Sequence, residues 1–320
     1  MKKVNVLVLL PVNEQQRSRL QAAAPRADFE YASYTGVTPA QARQAEVIIG
    51  NIRPALLAEA SALKWLQLNS AGADPYFRAE VLDPSVQLTN ATGAYGLTVS
   101  EYMLASLMSL YRKLHLYRDN QTARIWRAEG AVRSIEGSTI LVVGLGDIGG
   151  DFARKVKALG AATIGVRRTK GEKPEYLDEL YLSEELDTLL PRADVVAISV
   201  PGTPQTRHMF DARRLGLMKR DAVLINVGRG SVVDTDALCG ALDTGRLLGA
   251  CIDVTDPEPL PADHRLWGYS NVILTPHIAG NFFLDATVDR IVEIAAQNLE
   301  SYLAGRPLRN NVSRATGYRI

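Results

Sequence analysis

The chain has 320 residues, 47% of them hydrophobic and 22% charged, a balance typical of a soluble globular protein and long enough for two domains with separate cores. Its 36 basic and 35 acidic residues nearly cancel, leaving a formal net charge of +1, so no strong field marks it as a partner of nucleic acid or of a membrane surface. Two cysteines occur, Cys239 and Cys251, without metal-ligand spacing or a neighbouring Cys/His cluster; each reads as a small buried residue, and no metal is expected.

The N-terminus begins Met1-Lys-Lys and enters an apolar stretch, Val4 to Val12, interrupted by Asn5. The stretch is short, meets Pro11 and the polar run from Asn13, and lacks a small-residue cleavage site, so it reads as a first β-strand and not as a signal peptide. No apolar run approaches membrane-spanning length, and a cytoplasmic location is expected. To about Asn90, short apolar runs alternate with helical patterns: Val4–Leu10 then Glu14–Ala24, Val47–Gly50 then Ala55–Ala62, and Trp65–Leu68 before a glycine loop at Ala71-Gly72-Ala73. That alternation predicts a parallel sheet covered on both faces. Thr98 to about Leu116 carries apolar residues at helical spacing, with Thr98 or Ser100 as N-cap. Tyr117 to Glu136 is rich in Arg and polar residues but contains Trp126, which suits an extended arm docking on a partner or a solvated connection with one aromatic anchor.

The run Ile140–Val143 leads into Gly144, Gly146 and Gly149, a G-x-G-x-x-G pattern succeeded by a helical stretch, Asp151 to Leu159. In that setting the first glycine permits a tight turn, the second leaves room for a pyrophosphate at the backbone, and the third lets helix and strand pack closely; the helix N-terminus then faces the phosphates. Three glycines at this spacing also occur in plain strand–helix turns, so the pattern gains its weight from the strands and motifs downstream. Thr163–Val166, Val195–Val200, Ala222–Val227, Gly249–Val254 and Val272–Leu274 continue the series to six short strands, matching a doubly wound sheet. A last helix, Asp285 to Leu303, ends at the stop signals Gly305 and Pro307.

Four motifs in order, Gly144-Leu-Gly-Asp-Ile-Gly149, Asn226-Val-Gly-Arg-Gly230, Asp253-Val-Thr-Asp-Pro-Glu-Pro259 and Thr275-Pro-His-Ile-Ala-Gly280, resemble the D-isomer-specific 2-hydroxyacid dehydrogenase family, glyoxylate and hydroxypyruvate reductases among them. The resemblance covers nearly the whole chain. It implies an α/β protein of two Rossmann-like domains: a doubly wound dinucleotide-binding domain, 101–287, inserted into a smaller flavodoxin-like substrate domain, 1–100 and 288–320, with the active site in the cleft between them. A homodimer is also implied, with the Trp126 arm as its contributor.

Reduction of a 2-oxo acid requires a hydride donor, a proton for the forming alkoxide, and a cation to hold the carboxylate and polarise the carbonyl. His277 has a side chain that titrates near working pH and would donate the proton. Glu258 would orient the imidazole and favour its charged form. Arg229 has the planar donor fork that grips a carboxylate. The family resemblance implies the same roles. Taken singly, His277 reads equally as a strand cap, Glu258 as a solvated loop acid and Arg229 as a surface charge; all three at strand ends after a dinucleotide fingerprint favour function. Asn69-Ser-Ala-Gly-Ala-Asp74 resembles the family's carboxylate-binding loop, with Ser70 and the main-chain N–H groups of Ala71 and Gly72 facing the acid; a glycine turn serving geometry alone is the lesser alternative.

A Rossmann unit selective for NAD places an acid about twenty positions past the glycines. Arg167 stands at that point, with Arg168 and Thr169 after it; these residues cannot accept from ribose hydroxyls but can bind a 2′-phosphate. The expected cofactor is therefore NADP, with NAD possible if the basic loop is only solvated. The resemblance adds Asp147 and Ile148 at the pyrophosphate, Val200 and Pro201 beside the adenosine, Thr206, Val227 and Gly228 along the cleft, Asp253 toward the nicotinamide carboxamide, and Gly280. Gly202 departs from the family's commoner apolar residue at its place. Two rival readings share the scaffold: a phosphite-type dehydrogenase, and a cofactor-sensing protein like the transcriptional corepressors of this fold.

Overall fold

Every strand pair within the two sheets is parallel in the structure, a computed structural model that describes residues 3–76 and 81–314. The chain divides into two units, Met1–Tyr95 with Phe282–Ile320 and Gly96–Asn281. Both divisions fall a few residues before the expected ones at 100/101 and 287/288: the first coincides with the start of a helix at Gly96, and the second precedes the helix that begins at Asp285, so both helices stay whole.

The first unit contains β1 (Asn5–Val8), α1 (Glu14–Ala23), β2 (Asp28–Tyr31), α2 (Pro39–Gln44), β3 (Val47–Ile49), β4 (Trp65–Gln67) and β5 (Gln87–Thr89). Strand order is β2-β1-β3-β4-β5, the flavodoxin-like arrangement. The central strands are buried on both faces, which explains their unbroken apolar runs. Three elements lack such a signal. In the edge strand β2, Asp28 and Glu30 point outward; β5 is only three residues long; and α2 is announced solely by its ends, where Thr38 and Gln41 form a capping box around Pro39. Where a helix was expected over Ala55–Ala62, a 3-10 segment runs from Pro54 to Glu59.

The second unit opens with α3 (Gly96–Tyr111) and α4 (Leu114–Ala123). They replace the single helix expected over 98–116, because Lys113 adopts a left-handed backbone, φ 57°, that turns the chain between them. Next come β6 (Thr139–Val143), α5 (Asp147–Ala158), β7 (Ala162–Arg167), β8 (Glu179–Leu182), α6 (Leu186–Leu189), β9 (Val195–Ile198), α7 (Ala212–Leu217), β10 (Ala222–Asn226), α8 (Thr235–Asp243), β11 (Leu247–Ile252) and β12 (Val272–Leu274). The seven strands run β12-β11-β10-β9-β6-β7-β8, a doubly wound order whose direction reverses between β6 and β9. The expectation of six strands missed β8, an edge strand with all four residues half-buried and no continuous apolar run.

The final helix, α9 (Asp285–Leu303), returns to the first unit and packs on α1. Arg19 Nε meets Glu293 Oε2 at 2.8 Å, and Gln16 donates to Asp289 at 2.7 Å. Beneath α9 lies a buried polar network in which Gln67 Oε1 accepts from Thr89 Oγ1 and Asn298 Nδ2, both at 2.8 Å. These groups are satisfied by one another, as burial requires.

Candidate active site

The glycine turn after β6 has the geometry its sequence demands. Gly144 sits at φ 98°, and a Cβ on Gly149 would lie 1.9 Å from the Gly144 carbonyl oxygen, so only a bare backbone lets α5 start there. A Cβ on Gly146, by contrast, would meet nothing within 4 Å, and this open ground beside the α5 N-terminus suits a pyrophosphate. The helix begins at Asp147 and not at Asp151, with Gly149 and Gly150 buried inside it. Ile148 is half-buried in the same turn. Asp147 Oδ2 accepts from Gly96 N at 2.6 Å and so caps α3, leaving its main chain as the part available to phosphate. Across the reversal point, Ser199 Oγ donates to the Gly144 carbonyl at 2.9 Å.

β7, next to β6, ends at Arg167. Arg167 Nε donates to the Thr169 carbonyl, which folds the loop back, while Arg168 and Thr169 are exposed. After β9, Val200 is half-buried and Pro201 exposed. Thr206 is turned inward: its hydroxyl donates to the Pro201 carbonyl at 2.7 Å and accepts from Thr203 N at 2.8 Å, so it shapes the loop.

The three chemistry-bearing residues come after three neighbouring strands, β10, β11 and β12. Arg229 is half-buried beyond β10, after the buried Val227 and Gly228, and its Nη1 donates to the Gly228 carbonyl at 2.8 Å. Asn226, buried and unsuspected from sequence, clasps this loop: Nδ2 donates to the Arg229 carbonyl at 3.0 Å and Oδ1 accepts from Gly228 N at 3.1 Å. Its place at the head of Asn226-Val-Gly-Arg-Gly230 was the available signal.

His277 Nδ1 and Glu258 Oε1 stand 2.6 Å apart, with the two side chains 45% and 42% exposed, open enough to be reached by a small molecule. With the carboxylate oxygen as acceptor, Nδ1 carries the hydrogen, and Nε2 is the ring nitrogen not used in this pair. His277 holds a left-handed backbone, φ 53°, a conformation costing about 1–2 kcal/mol for a residue with a Cβ. Its surroundings impose it. His277 N donates to the Asp253 carbonyl at 2.8 Å. The Asp253 carboxylate, 2% exposed, accepts from Thr275 Oγ1 at 2.6 Å, Ile278 N at 2.9 Å and Ala279 N at 3.0 Å, so it pins the loop on both sides of the histidine. Gly280, just beyond, is half-buried.

In the first unit, the loop after β4 is similarly held. Ser70 Oγ donates to the Gly72 carbonyl at 2.6 Å, Asn90 Nδ2 to the Ala71 carbonyl at 2.7 Å, and Tyr95 OH to the Asn69 carbonyl at 2.5 Å. The N–H groups of Ala71 and Gly72 have no acceptor among the described residues. Among those residues, no cluster of three or more His, Cys, Asp or Glu could hold a metal ion, and no helix is long and apolar enough to cross a membrane.

Residues 104–279 match the model of the D-isomer-specific 2-hydroxyacid dehydrogenase NAD-binding domain. The chain belongs to that family. A D-isomer-specific 2-hydroxyacid dehydrogenase family protein of Aeromonas salmonicida is 34% identical, with TM-score 0.87 over 98% of this chain and 100% of the other. Glyoxylate/hydroxypyruvate reductase B of Erwinia tasmaniensis is 32% identical over 85% of this chain and 86% of its own. An NADPH-dependent glyoxylate/hydroxypyruvate reductase of Sinorhizobium meliloti, solved with NADP and sulfate, is 27% identical, with TM-score 0.82 over 99% and 100% of the two chains. This 2-hydroxyacid dehydrogenase is accordingly an NAD(P)-dependent oxidoreductase acting on small 2-oxo and 2-hydroxy acids.

Proposed function

We propose that the enzyme is a cytoplasmic, homodimeric reductase of short 2-oxo acids of the glyoxylate and hydroxypyruvate type, preferring NADPH, with His277 as proton donor. The observation that carries this reading is the 2.6 Å pairing of His277 with Glu258 on a loop pinned by Asp253. When bound, the cofactor supplies the hydride. Arg229 grips the carboxylate of the acid and draws charge from its carbonyl. The protonated imidazole gives the forming alkoxide its proton from Nε2, while Glu258 steadies the positive charge through Nδ1. The amides of Ala71 and Gly72 serve as further donors to the carboxylate.

For the cofactor, Gly144, Gly146 and Gly149 hold the pyrophosphate with the main chain of Asp147 and Ile148, and Val200, Pro201, Thr206, Val227, Gly228, Asp253 and Gly280 line the rest. The NADPH preference rests on Arg168 and Thr169, exposed beside the tethered Arg167 at the end of β7 where NAD enzymes hold an acid. The dimer is supported by a run of apolar side chains open to solvent, Ile125 at 45%, Trp126 at 104% and Val132 at 46%. Initial rates on a panel of 2-oxo acids with NADPH and NADH test the proposal, for the wild type and an Arg167→Ala/Arg168→Ala double variant. The double variant is expected to lose about tenfold or more in kcat/KM with NADPH while NADH is spared. An unchanged cofactor ratio removes the assignment, and turnover of no 2-oxo acid removes the substrate class.

A further inference from the structure

Helix α3 reaches the histidine loop through a chain of hydroxyls. Tyr102 OH and Thr275 Oγ1 are 2.6 Å apart, and Thr275 Oγ1 donates to Asp253 Oδ1 at 2.6 Å. Threonine has one hydroxyl hydrogen, and the carboxylate takes it, so Tyr102 must be the donor to Thr275. Burial pushes the tyrosine hydroxyl up to about 12, which keeps that donor protonated in neutral solution. One turn earlier, Thr98 Oγ1 donates to the Ala279 carbonyl at 3.3 Å, so α3 touches the loop on both sides of His277.

We propose that Tyr102 is a positioning residue for His277: through Thr275 it fixes the Asp253 carboxylate, which in turn holds the Ile278 and Ala279 amides and with them the left-handed backbone that presents the imidazole to Glu258. The inference rests on His277 acting as the proton donor. A carboxylate receiving three donors from one loop sets that loop's conformation, but only if it cannot rotate, and Tyr102 of α3 supplies the restraint from outside the loop through Thr275. Tyr102 and Thr275 are both half-buried, and their hydroxyls are engaged with each other and with Asp253.

The test compares Tyr102→Phe, Thr275→Val and Thr275→Ser with the wild type. Tyr102→Phe and Thr275→Val are expected to lower kcat about tenfold or more, as displacement of a proton donor does, with cofactor dissociation constants unchanged. Thr275→Ser, which keeps the hydroxyl, restores turnover. Amide hydrogen exchange in the free protein should quicken at Ile278 and Ala279 in the first two variants and not in the third. On a His277→Ala background Tyr102→Phe should cost nothing more, because both changes act through one imidazole. Wild-type kcat in Tyr102→Phe, unaltered exchange at the two amides, or a loss that persists without His277 overturns the proposal. If His277→Ala itself retains full kcat, the proton-donor reading has failed; if it loses kcat while Tyr102→Phe does not, only the positioning role has.

Discussion

At the level of single residues, His277 and Glu258 were legible as a pair because proton chemistry permits few side-chain types, and only His277 among four histidines sits after a strand beside a proline in such a motif. What could not be read was how the loop is held. That the Asp253 carboxylate takes Thr275, Ile278 and Ala279 was hidden, because hydrogen bonds from main-chain amides leave no pattern in a sequence. Asn226, which clasps the Arg229 loop, was signalled only by its place at the head of a motif. His277→Ala is expected to depress kcat by about 10²–10⁴ while cofactor affinity is retained, since the proposed role engages the imidazole only as the alkoxide forms. Stopped-flow turnover alongside fluorescence titration of the cofactor measures both, and a parallel fall in the two would assign the residue to binding.

Among the elements, buried strands were visible as apolar runs, but β2 and β8 were not, because edge strands share a face with water and mix charges into their pattern. α5 began a turn earlier than periodicity suggested, since its first glycines contribute close packing and no amphipathic signal. The contact between α3 and α5 has a pH dependence of definite sign. Asp151, on α5, accepts from Ser100 Oγ of α3 at 2.7 Å and pairs with Lys155 and Arg154. Burial alone would push its carboxyl up, but Lys155, Ser100 and Arg154 outweigh that and hold it below the usual carboxylate range. A carboxyl depressed by folding contributes stability that is complete above the ordinary carboxylate range and is lost as pH falls through the folded value. Asp151→Asn should therefore lower Tm at neutral pH, by about 1 kcal/mol of stability, and flatten the acid limb of the Tm-against-pH curve. An acid limb of unchanged slope would place the effect elsewhere.

Taken as a whole, the molecule is two α/β units, and the sequence announced both through alternating strands and helices, because parallel sheets need helical crossovers. Less visible was how the first unit closes: Gln67, Thr89 and Asn298, from distant parts of the chain, satisfy one another in its interior. Polar residues in a strand or helix read as solvent-facing until the partner is known. Asn298→Ala leaves the buried Gln67 oxygen short of a donor and should cost about 1–3 kcal/mol, read as an earlier midpoint in urea unfolding monitored by circular dichroism; an unchanged midpoint would show that water replaces the lost amide. The path of the chain has a bearing on biosynthesis as well. Residues 96–281 can finish their core while the polypeptide is still being made, but the N-terminal unit must wait for α9, more than half the chain later in sequence. The earlier of the two units is thus the later to be completed, and until α9 has left the ribosome the face it covers is the surface that a chaperone would need to shield.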